Sequence, residues 1–161
     1  MTLSSGTVFV TVGNELRPFS RMSALVRQFA NENPDLMFHY QNGHSPPVQD
    51  LGNVESCRFM KRAEFESLVT EAEDLICHAG AGTLITACLA GRRPIVVPRL
   101  ASLNEHLNDH QLDIFKKFID VGYIRSLEDS QLSASESRMK FEEQGDKLLN
   151  SIYEKVTVYL K

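Results

Sequence analysis

The chain has few cysteines, no excess of basic residues and no long apolar run. Each of these absences argues against one class of protein. Its three cysteines among 161 residues lack CxxC spacing, which favours reduced thiols in a cytosolic protein over a metal or disulfide role. A formal net charge of −4 argues against a nucleic-acid binder, which usually carries a basic face. No apolar run approaches the roughly 20 residues that cross a bilayer. Residues 1–6 lack the basic start and apolar core of an export signal, so we expect a cytoplasmic protein.

What is present is the pattern of one α/β domain over residues 1–161, with 42% hydrophobic residues and enough length for a single core. Strand-like and helix-like runs alternate, which predicts a Rossmann-like, doubly wound parallel sheet. Ligands of such sheets bind outside the carboxyl ends of the strands. Strands are predicted over 7–12, 36–40, 54–60, 75–77, 95–97 and 123–124; helices are predicted over 18–33, 62–73, 84–90, 111–120 (with Leu112, Phe115 and Ile119 inward) and about 135–160.

The segment from His78 through Gly80, Ala81, Gly82 and Thr83 joins a buried strand to a helix. A small-residue turn that opens a helix presents free backbone N–H groups and the positive end of the helix dipole. This arrangement binds anions, most often phosphate or diphosphate. The sequence therefore predicts an anion site at this turn.

Individual residues around this turn allow more than one interpretation. His78 could hold a phosphate oxygen or be a core histidine whose hydrogen bonds are satisfied internally. Thr83 could cap the helix, contact phosphate, or do both. Gly13-Asn14-Glu15 follows the first strand, where the glycine permits close backbone approach to a ligand; the alternative is a plain β–α turn.

The densest polar cluster is Asn104 to Gln111, just before and inside a predicted helix. Its amides, carboxylates and imidazoles suit sugar hydroxyl groups, because they donate and accept in fixed directions. Asp109 would also stabilise the start of the helix through its dipole. A metal site formed by His106 and His110 is an alternative, although no third ligand is evident.

Several motifs together resemble the C-terminal domain of glycosyltransferase family 28, over about residues 7 to 125. The sequence is most similar to small catalytic subunits of two-part UDP-sugar transferases, of both the dolichol-linked GlcNAc pathway and bacterial capsule or exopolysaccharide synthesis. The motifs are Thr11-Val12-Gly13, Gln41-Asn42-Gly43, His78 to Thr83, Gly91-x-x-Pro94 with Pro98, and Glu105-His106 through Asp109-His110-Gln111.

The resemblance implies the donor-binding, C-terminal half of a GT-B enzyme that needs neither metal nor cofactor, because backbone amides and a helix dipole stabilise the leaving diphosphate. Glu15 and His110 are its candidate catalytic residues, Glu15 by position alone. Family members usually have Thr where this chain has Asn14, and Thr86 takes the place of an acidic ribose-binding residue of some relatives. The implied diphosphate ligands are Gly13, Asn14, His78, Gly80, Ala81, Gly82 and Thr83, and the implied sugar ligands are Glu105, Asp109, His110 and Gln111.

The resemblance also implies a partner. A separate membrane-associated subunit would bind the polyprenyl-diphosphate-linked saccharide and hold the chain at the cytosolic membrane face. The transferred group would be a hexose or N-acetylhexosamine, with GlcNAc favoured, and the mechanism would be inverting. An isolated half would expose the face that closes on its mate, so a homodimer is also expected. The alternatives are a non-catalytic UDP-sugar-binding or activity-enhancing subunit, and a flavodoxin-like nucleotide module.

Overall fold

A computed structural model of the chain describes residues 6–128, 130–133, 135–138 and 154, so the predicted helix at about 135–160 lies almost wholly outside the described residues. Strands and helices alternate along the described part. The strands are β1 (Thr7–Thr11), β2 (Met37–Gln41), β3 (Val54–Cys57), β4 (Asp74–His78), β5 (Ile95–Val97) and β6 (Arg125–Ser126). The helices are α1 (Ser20–Glu32), α2 (Arg62–Glu71), α3 (Ala81–Leu89) and α4 (His110–Asp120), with a 3-10 turn at Ala101–Leu103.

The six strands form one sheet in the order β3-β2-β1-β4-β5-β6. Every pairing between neighbouring strands is parallel, and β1 pairs with both β2 and β4. The predicted doubly wound parallel sheet is therefore confirmed. The strand order reverses between β1 and β4, and the carboxyl ends of these two strands border the crevice where such folds bind ligands.

The core explains why the central strands carry apolar residues on both faces of the sheet. Alternate residues of a strand face opposite sides of the sheet. Val8 and Val10 of β1 therefore pack in one cluster with Met22 of α1, whereas Phe9 packs on the opposite face with Val69 of α2. All five residues of β1 and all five of β4 are buried, as expected when helices cover both faces.

The opposite, amino-terminal end of β4 is closed by buried charged groups. Asp74 pairs with Arg125 of β6, and each side chain is 2% exposed. Asp74 also accepts the backbone N–H groups of Leu75 and Ser133, both at 2.8 Å. Nearby, the fully buried Arg92 donates to the carbonyl oxygens of Thr70, Ala72 and Glu73, and to Ser137 Oγ.

Several predicted boundaries were wrong in detail. The sixth strand is Arg125–Ser126, not 123–124, because a buried ion pair places an arginine in the sheet. Helix α3 begins at Ala81, three residues before the prediction, since the small residues of the turn already have helical backbone. β3 ends at Cys57 rather than residue 60. Helix α1 begins at Ser20, so Pro18 precedes it.

The inward face of α4 also differs from the prediction. Gln111, Ile114 and Phe118 are its buried residues, whereas Phe115 and Ile119 are partly buried against the same cluster. The buried amide of Gln111 rotates the inward stripe by one position relative to the expected apolar pattern. Within the described residues, no helix is long and apolar enough to cross a membrane.

Candidate functional site

The imidazole of His78 lies between two glycines at the reversal of strand order. A Cβ atom added at Gly13 would lie 2.4 Å from His78 Nε2, and one added at Gly80 would lie 2.2 Å from the same atom. Real Cβ contacts essentially never come below 3.0 Å, so both positions must be glycine while the ring stays there. Gly13 also has a φ of +73°, which glycine adopts without strain. The structure thus brings the first predicted loop and the glycine-rich turn together around one histidine.

His78 is held as a neutral imidazole. Its pKa is lowered to about 4, mainly by burial and also by the positive charge of Arg99 and by His106, although the hydrogen bond to the Thr11 backbone carbonyl opposes these effects. Nδ1 of His78 is buried without a hydrogen-bond partner in the described structure. A buried polar atom with no partner is uncommon and calls for an explanation. Because the Thr11 carbonyl accepts the single N–H of the neutral ring, Nδ1 is left as a hydrogen-bond acceptor.

The predicted glycine-rich turn forms the amino-terminal end of α3. Gly80 is the N-cap residue, and no side chain caps the helix. Thr83 is therefore the third helical residue rather than its cap. The first backbone bond of this turn runs from the Leu84 N–H to the Gly80 carbonyl at 3.0 Å. The N–H groups of the preceding helical residues have no such helical acceptor, which is the arrangement that binds anions.

Gln111 joins the ends of β4 and β5. Its side-chain oxygen, Oε1, accepts the backbone N–H of Ala79 at 3.2 Å and that of Arg99 at 3.1 Å. Gln111 itself is 6% exposed. The amide oxygen of this predicted sugar ligand is therefore engaged inside the protein, where it fixes the strand end beside His78.

Glu105, another predicted sugar ligand, is buried and already paired. Its carboxylate accepts two hydrogen bonds from Arg21 of α1, at 3.0 and 2.7 Å, and one from the Leu100 N–H at 3.0 Å. These bonds attach the loop after β5 to helix α1. The carboxylate is thus committed to positioning that loop.

Asp109 and His110 remain at the exposed rim of the site, at the start of α4. Asp109 is the N-cap residue of α4 but makes no side-chain capping hydrogen bond, because its Oδ1 accepts the Ala101 N–H at 2.9 Å. The His110 N–H donates to Asn108 Oδ1 at 3.0 Å. Exposed and oriented polar groups of this kind can contact sugar hydroxyl groups.

Glu15 lies in the loop after β1, next to the exposed Asn14. Its carboxylate accepts the Arg17 backbone N–H and guanidinium, each at 3.1 Å, and lies 3.8 Å from His106 Nε2. Partial burial raises the pKa of Glu15, but the hydrogen bonds from Arg17 and the charge of His106 outweigh it and lower the pKa overall. A lowered pKa weakens a general base at neutral pH.

No group of three metal-binding side chains occurs among the residues that the structure describes. His106 Nδ1 lies 3.2 Å from Asn108 Oδ1, so the loop before α4 uses this ring in a local contact. Thr86, at the place of an acidic residue in some relatives, donates to the Gly82 carbonyl one turn earlier at 2.9 Å.

An open cavity of about 350 Å³ adjoins the crevice at the carboxyl ends of β2 and β3. The loop that contains Gly43 packs closely against the loop after β1, because a Cβ added at Gly43 would lie 2.9 Å from the Gly13 carbonyl oxygen. The cavity therefore continues the crevice away from α3. Its lining includes Asn42, Gly43, His44, Ser45, Ser56 and Arg58.

Sequence reasoning missed Arg99, the most buried charge at this edge of the sheet. Its side chain is 0% exposed, and it donates to the carbonyl oxygens of Val12, Arg17 and Glu105 at 2.9–3.1 Å. From the sequence alone, an arginine in a polar loop is expected to lie at the surface. The available signal was its position directly after Pro98, at the end of a fully buried strand.

Comparisons with known proteins agree with this architecture. The model of the glycosyltransferase family 28 C-terminal domain matches residues 7–151. The glycotransferase of kitacinnamycin is 16% identical with a TM-score of 0.59, covering 96% of this chain and 35% of that chain. The glycosyltransferase SnogD from Streptomyces nogalater is 20% identical with a TM-score of 0.57, covering 94% and 39%. No curated protein matches the sequence.

At these identities, the similarity shows only the fold. That fold is the one of the C-terminal half of a GT-B glycosyltransferase, as predicted. The chain spans little more than a third of the length of each of these solved structures, 35% and 39%.

Proposed function

The chain belongs to the glycosyltransferase family 28 C-terminal domain family, and from this membership we propose that it is the donor-binding, catalytic subunit of a two-part sugar transferase. It takes a UDP-sugar and needs no metal or other cofactor. It transfers a hexose or N-acetylhexosamine, with GlcNAc favoured by the family resemblance. The acceptor is a polyprenyl-diphosphate-linked saccharide bound by a membrane-associated partner at the cytosolic face.

The observation that carries the proposal is the position of His78. Its ring sits in a slot between Gly13 and Gly80, beside the uncapped start of α3 and at the reversal of strand order. A diphosphate there would receive the free backbone N–H groups and the helix dipole at the start of α3, next to the neutral His78 ring. The adjoining cavity of about 350 Å³ offers room for the rest of the nucleotide.

The donor sugar is assigned to the rim at the start of α4. Asp109 and His110 are exposed there and are the proposed direct contacts. Gln111 and Glu105 support that rim through the hydrogen bonds described above. In this arrangement two of the four predicted sugar ligands contact the sugar and two position the backbone that carries the site.

The proposed reaction is a single displacement. The acceptor hydroxyl oxygen attacks the anomeric carbon, the bond from that carbon to the diphosphate oxygen breaks, and UDP leaves with the electron pair. The hydroxyl proton passes to a general base. Because the pKa of Glu15 is lowered, we assign that base to the partner and give the start of α3 the task of stabilising the leaving diphosphate.

Calorimetric titration without added metal tests the proposal. The purified chain is titrated with UDP, UDP-GlcNAc, UDP-Gal, UDP-Glc, UDP-GlcA and ADP. We expect uridine-selective binding that His78→Ala abolishes. His39→Ala is the matched control, because His39 lies in β2 with its ring paired to Glu55 and should leave binding unchanged.

The variant Asp109→Asn distinguishes a catalytic subunit from a non-catalytic, activity-enhancing subunit. A catalytic subunit should keep its affinity for UDP, lose the additional affinity for the UDP-sugar and lose transfer in the presence of the partner. Unchanged transfer by this variant would favour the activity-enhancing role. Absence of uridine-nucleotide binding, both by the chain alone and with a co-expressed partner, would overturn the proposal.

A further inference from the structure

Arg99 connects the two loops that border the crevice. Its guanidinium donates to the carbonyl oxygens of Val12 and Arg17, both at 2.9 Å, in the loop after β1. It also donates to the Glu105 carbonyl at 3.1 Å, in the loop after β5. These loops follow β1 and β5, the two strands that flank β4 in the sheet. Hence one buried side chain sets the distance between the walls of the site.

A second layer holds Arg99 itself. Its guanidinium lies over the ring of Phe19, 4.7 Å from the centroid, and Arg21 approaches the same ring at 5.2 Å. Arg21 in turn binds the Glu105 carboxylate and the Pro98 carbonyl. We call Arg99, Glu105, Arg21 and Phe19 the loop clamp. It fixes each loop to helix α1 as well as to the other loop.

The buried charge of Arg99 also acts on His78. Arg99 and His106 are the charged or titratable groups that influence the His78 ring, and both disfavour its protonation. Glu15 and Glu105 favour the charged form of Arg99, although burial lowers its pKa. The arginine therefore remains a fixed positive charge next to a neutral histidine, which suits an anionic ligand.

We infer that Arg99 is a positioning residue of the nucleotide site: it holds the loops after β1 and β5 at the spacing that diphosphate binding requires, without touching the ligand. The inference rests on the proposed function. A small misplacement of binding groups by a residue outside the contact shell can cost a large factor in function. Neither the sugar nor the acceptor need contact Arg99 for this effect.

Arg92 provides a matched control within the same chain. It is also 0% exposed, also donates to three backbone carbonyl oxygens, and also has a buried Nε without a partner in the described structure. It lies at the opposite end of β4. Lysine at either position keeps the charge but cannot donate in the planar fork of a guanidinium.

The experiment compares Arg99→Lys with Arg92→Lys. Urea unfolding first identifies conditions in which both variants are folded, and UDP affinity is then measured by calorimetry. We expect similar losses of stability, but only Arg99→Lys should weaken UDP binding, by about tenfold or more. Equal UDP affinity of both folded variants and the wild type would overturn the inference and reduce Arg99 to a structural role.

Arg21→Ala serves as a second variant that should fold readily, because the Arg21 side chain is 39% exposed. It releases the Glu105 carboxylate while leaving Arg99 in place. We expect a smaller loss of UDP affinity than for Arg99→Lys, with partial rescue by Arg21→Lys. Wild-type affinity in Arg21→Ala would contradict the loop clamp.

NMR titration of His78 separates this inference from the proposed function. In Arg99→Met the pKa of His78 should rise from about 4 towards its ordinary value, and in Arg92→Met it should not change. If wild-type protein fails to bind UDP, the proposed function fails, yet the titration still reports whether Arg99 controls the histidine. An unchanged His78 pKa in Arg99→Met would contradict the electrostatic part of the inference.

Discussion

At the scale of single residues, the site depends on two glycines for different reasons. Gly13 has a left-handed backbone, φ +73°, and also leaves space for His78. Gly80 is the N-cap of α3 with φ −75°, a conformation open to any residue, so its requirement is purely steric. Substitution of Gly80 therefore isolates the close approach of the histidine ring from backbone strain.

We expect Gly80→Ala to lower the free energy of unfolding by about 1–3 kcal/mol, as overpacking does, and to weaken UDP binding by displacing the His78 ring. Denaturant unfolding and calorimetry measure the two effects. Gly52→Ala is the control, because nothing lies within 4 Å of a Cβ added there, and its stability should stay within about 1 kcal/mol of wild type. Wild-type stability in Gly80→Ala would show that the ring moves aside freely.

Residue-level reasoning from sequence placed His78 correctly at the end of a buried strand but could not show what surrounds it. The slot arises because β1 and β4 are neighbours in the sheet, and their residues are distant in the chain. Arg99 was missed for a related reason. Its partners are backbone carbonyl oxygens of Val12, Arg17 and Glu105, and main-chain acceptors leave no trace in side-chain identity.

At the scale of secondary-structure elements, the short strand β6 is attached to the sheet by a buried ion pair as well as by its pairing with β5. Arg125 reaches across β5 to Asp74 at the start of β4, and it also donates to the Arg93 carbonyl at 2.9 Å. Burial raises the pKa of Asp74, although Arg125 and the Ser133 and Leu75 N–H groups oppose that shift. The pair thus attaches the edge of the sheet to its centre.

Removing one partner of this pair should be costly. Arg125→Met leaves Asp74 buried without its counter-charge, and we expect a loss of about 3–5 kcal/mol in the free energy of unfolding. The double variant Asp74→Leu with Arg125→Met should recover part of that loss. Urea unfolding of Arg125→Met, Asp74→Leu and the double variant measures the coupling between the two residues.

The exposed pair of Arg27 and Asp50 is the control for this comparison. Its side chains are 45% and 64% exposed, so Arg27→Met should change the free energy of unfolding only slightly. A loss of that small size in Arg125→Met would show that water reaches the Asp74 carboxylate.

Most elements could be predicted from periodicity and turn residues, because their apolar patterns and breaks are strong. Two of the failures occur where a buried polar side chain interrupts the apolar pattern. Arg125 moved the sixth strand from its apolar neighbours Tyr123 and Ile124, and Gln111 shifted the inward face of α4. In both cases, a specific hydrogen bond to a distant strand outweighs local hydropathy.

At the scale of the whole molecule, the crevice edge carries exposed apolar side chains. Leu16, in the loop after β1, and Leu107, in the loop before α4, are each 75% exposed, and Leu103 is 54% exposed. The chain also spans only 35% and 39% of the two solved glycosyltransferases. These leucines are candidates for contact with the proposed partner, or with a second copy when the chain is alone.

We expect the isolated chain to dimerise through this edge, and Leu103→Ser with Leu107→Ser to weaken the dimer. Burying a leucine contributes roughly 1.5–3 kcal/mol, so dissociation should increase at least about tenfold. Sedimentation velocity over a range of concentrations measures the effect. Leu89→Ser is the control, since Leu89 is 57% exposed on α3 and lies away from this edge. A monomer at every concentration would refute the expected dimer.

The strand order also governs how the protein matures on the ribosome. β1 is synthesised first, yet one of its two edges stays bare until β4 emerges roughly 65 residues later. At about 5–20 residues per second, that edge of a strand that is fully buried in the folded protein stays unpaired for several seconds. The crevice between β1 and β4 does not exist until then, so a ligand bound there cannot assist the earlier steps of folding, and the nascent chain relies on β2, β3, α1 and α2.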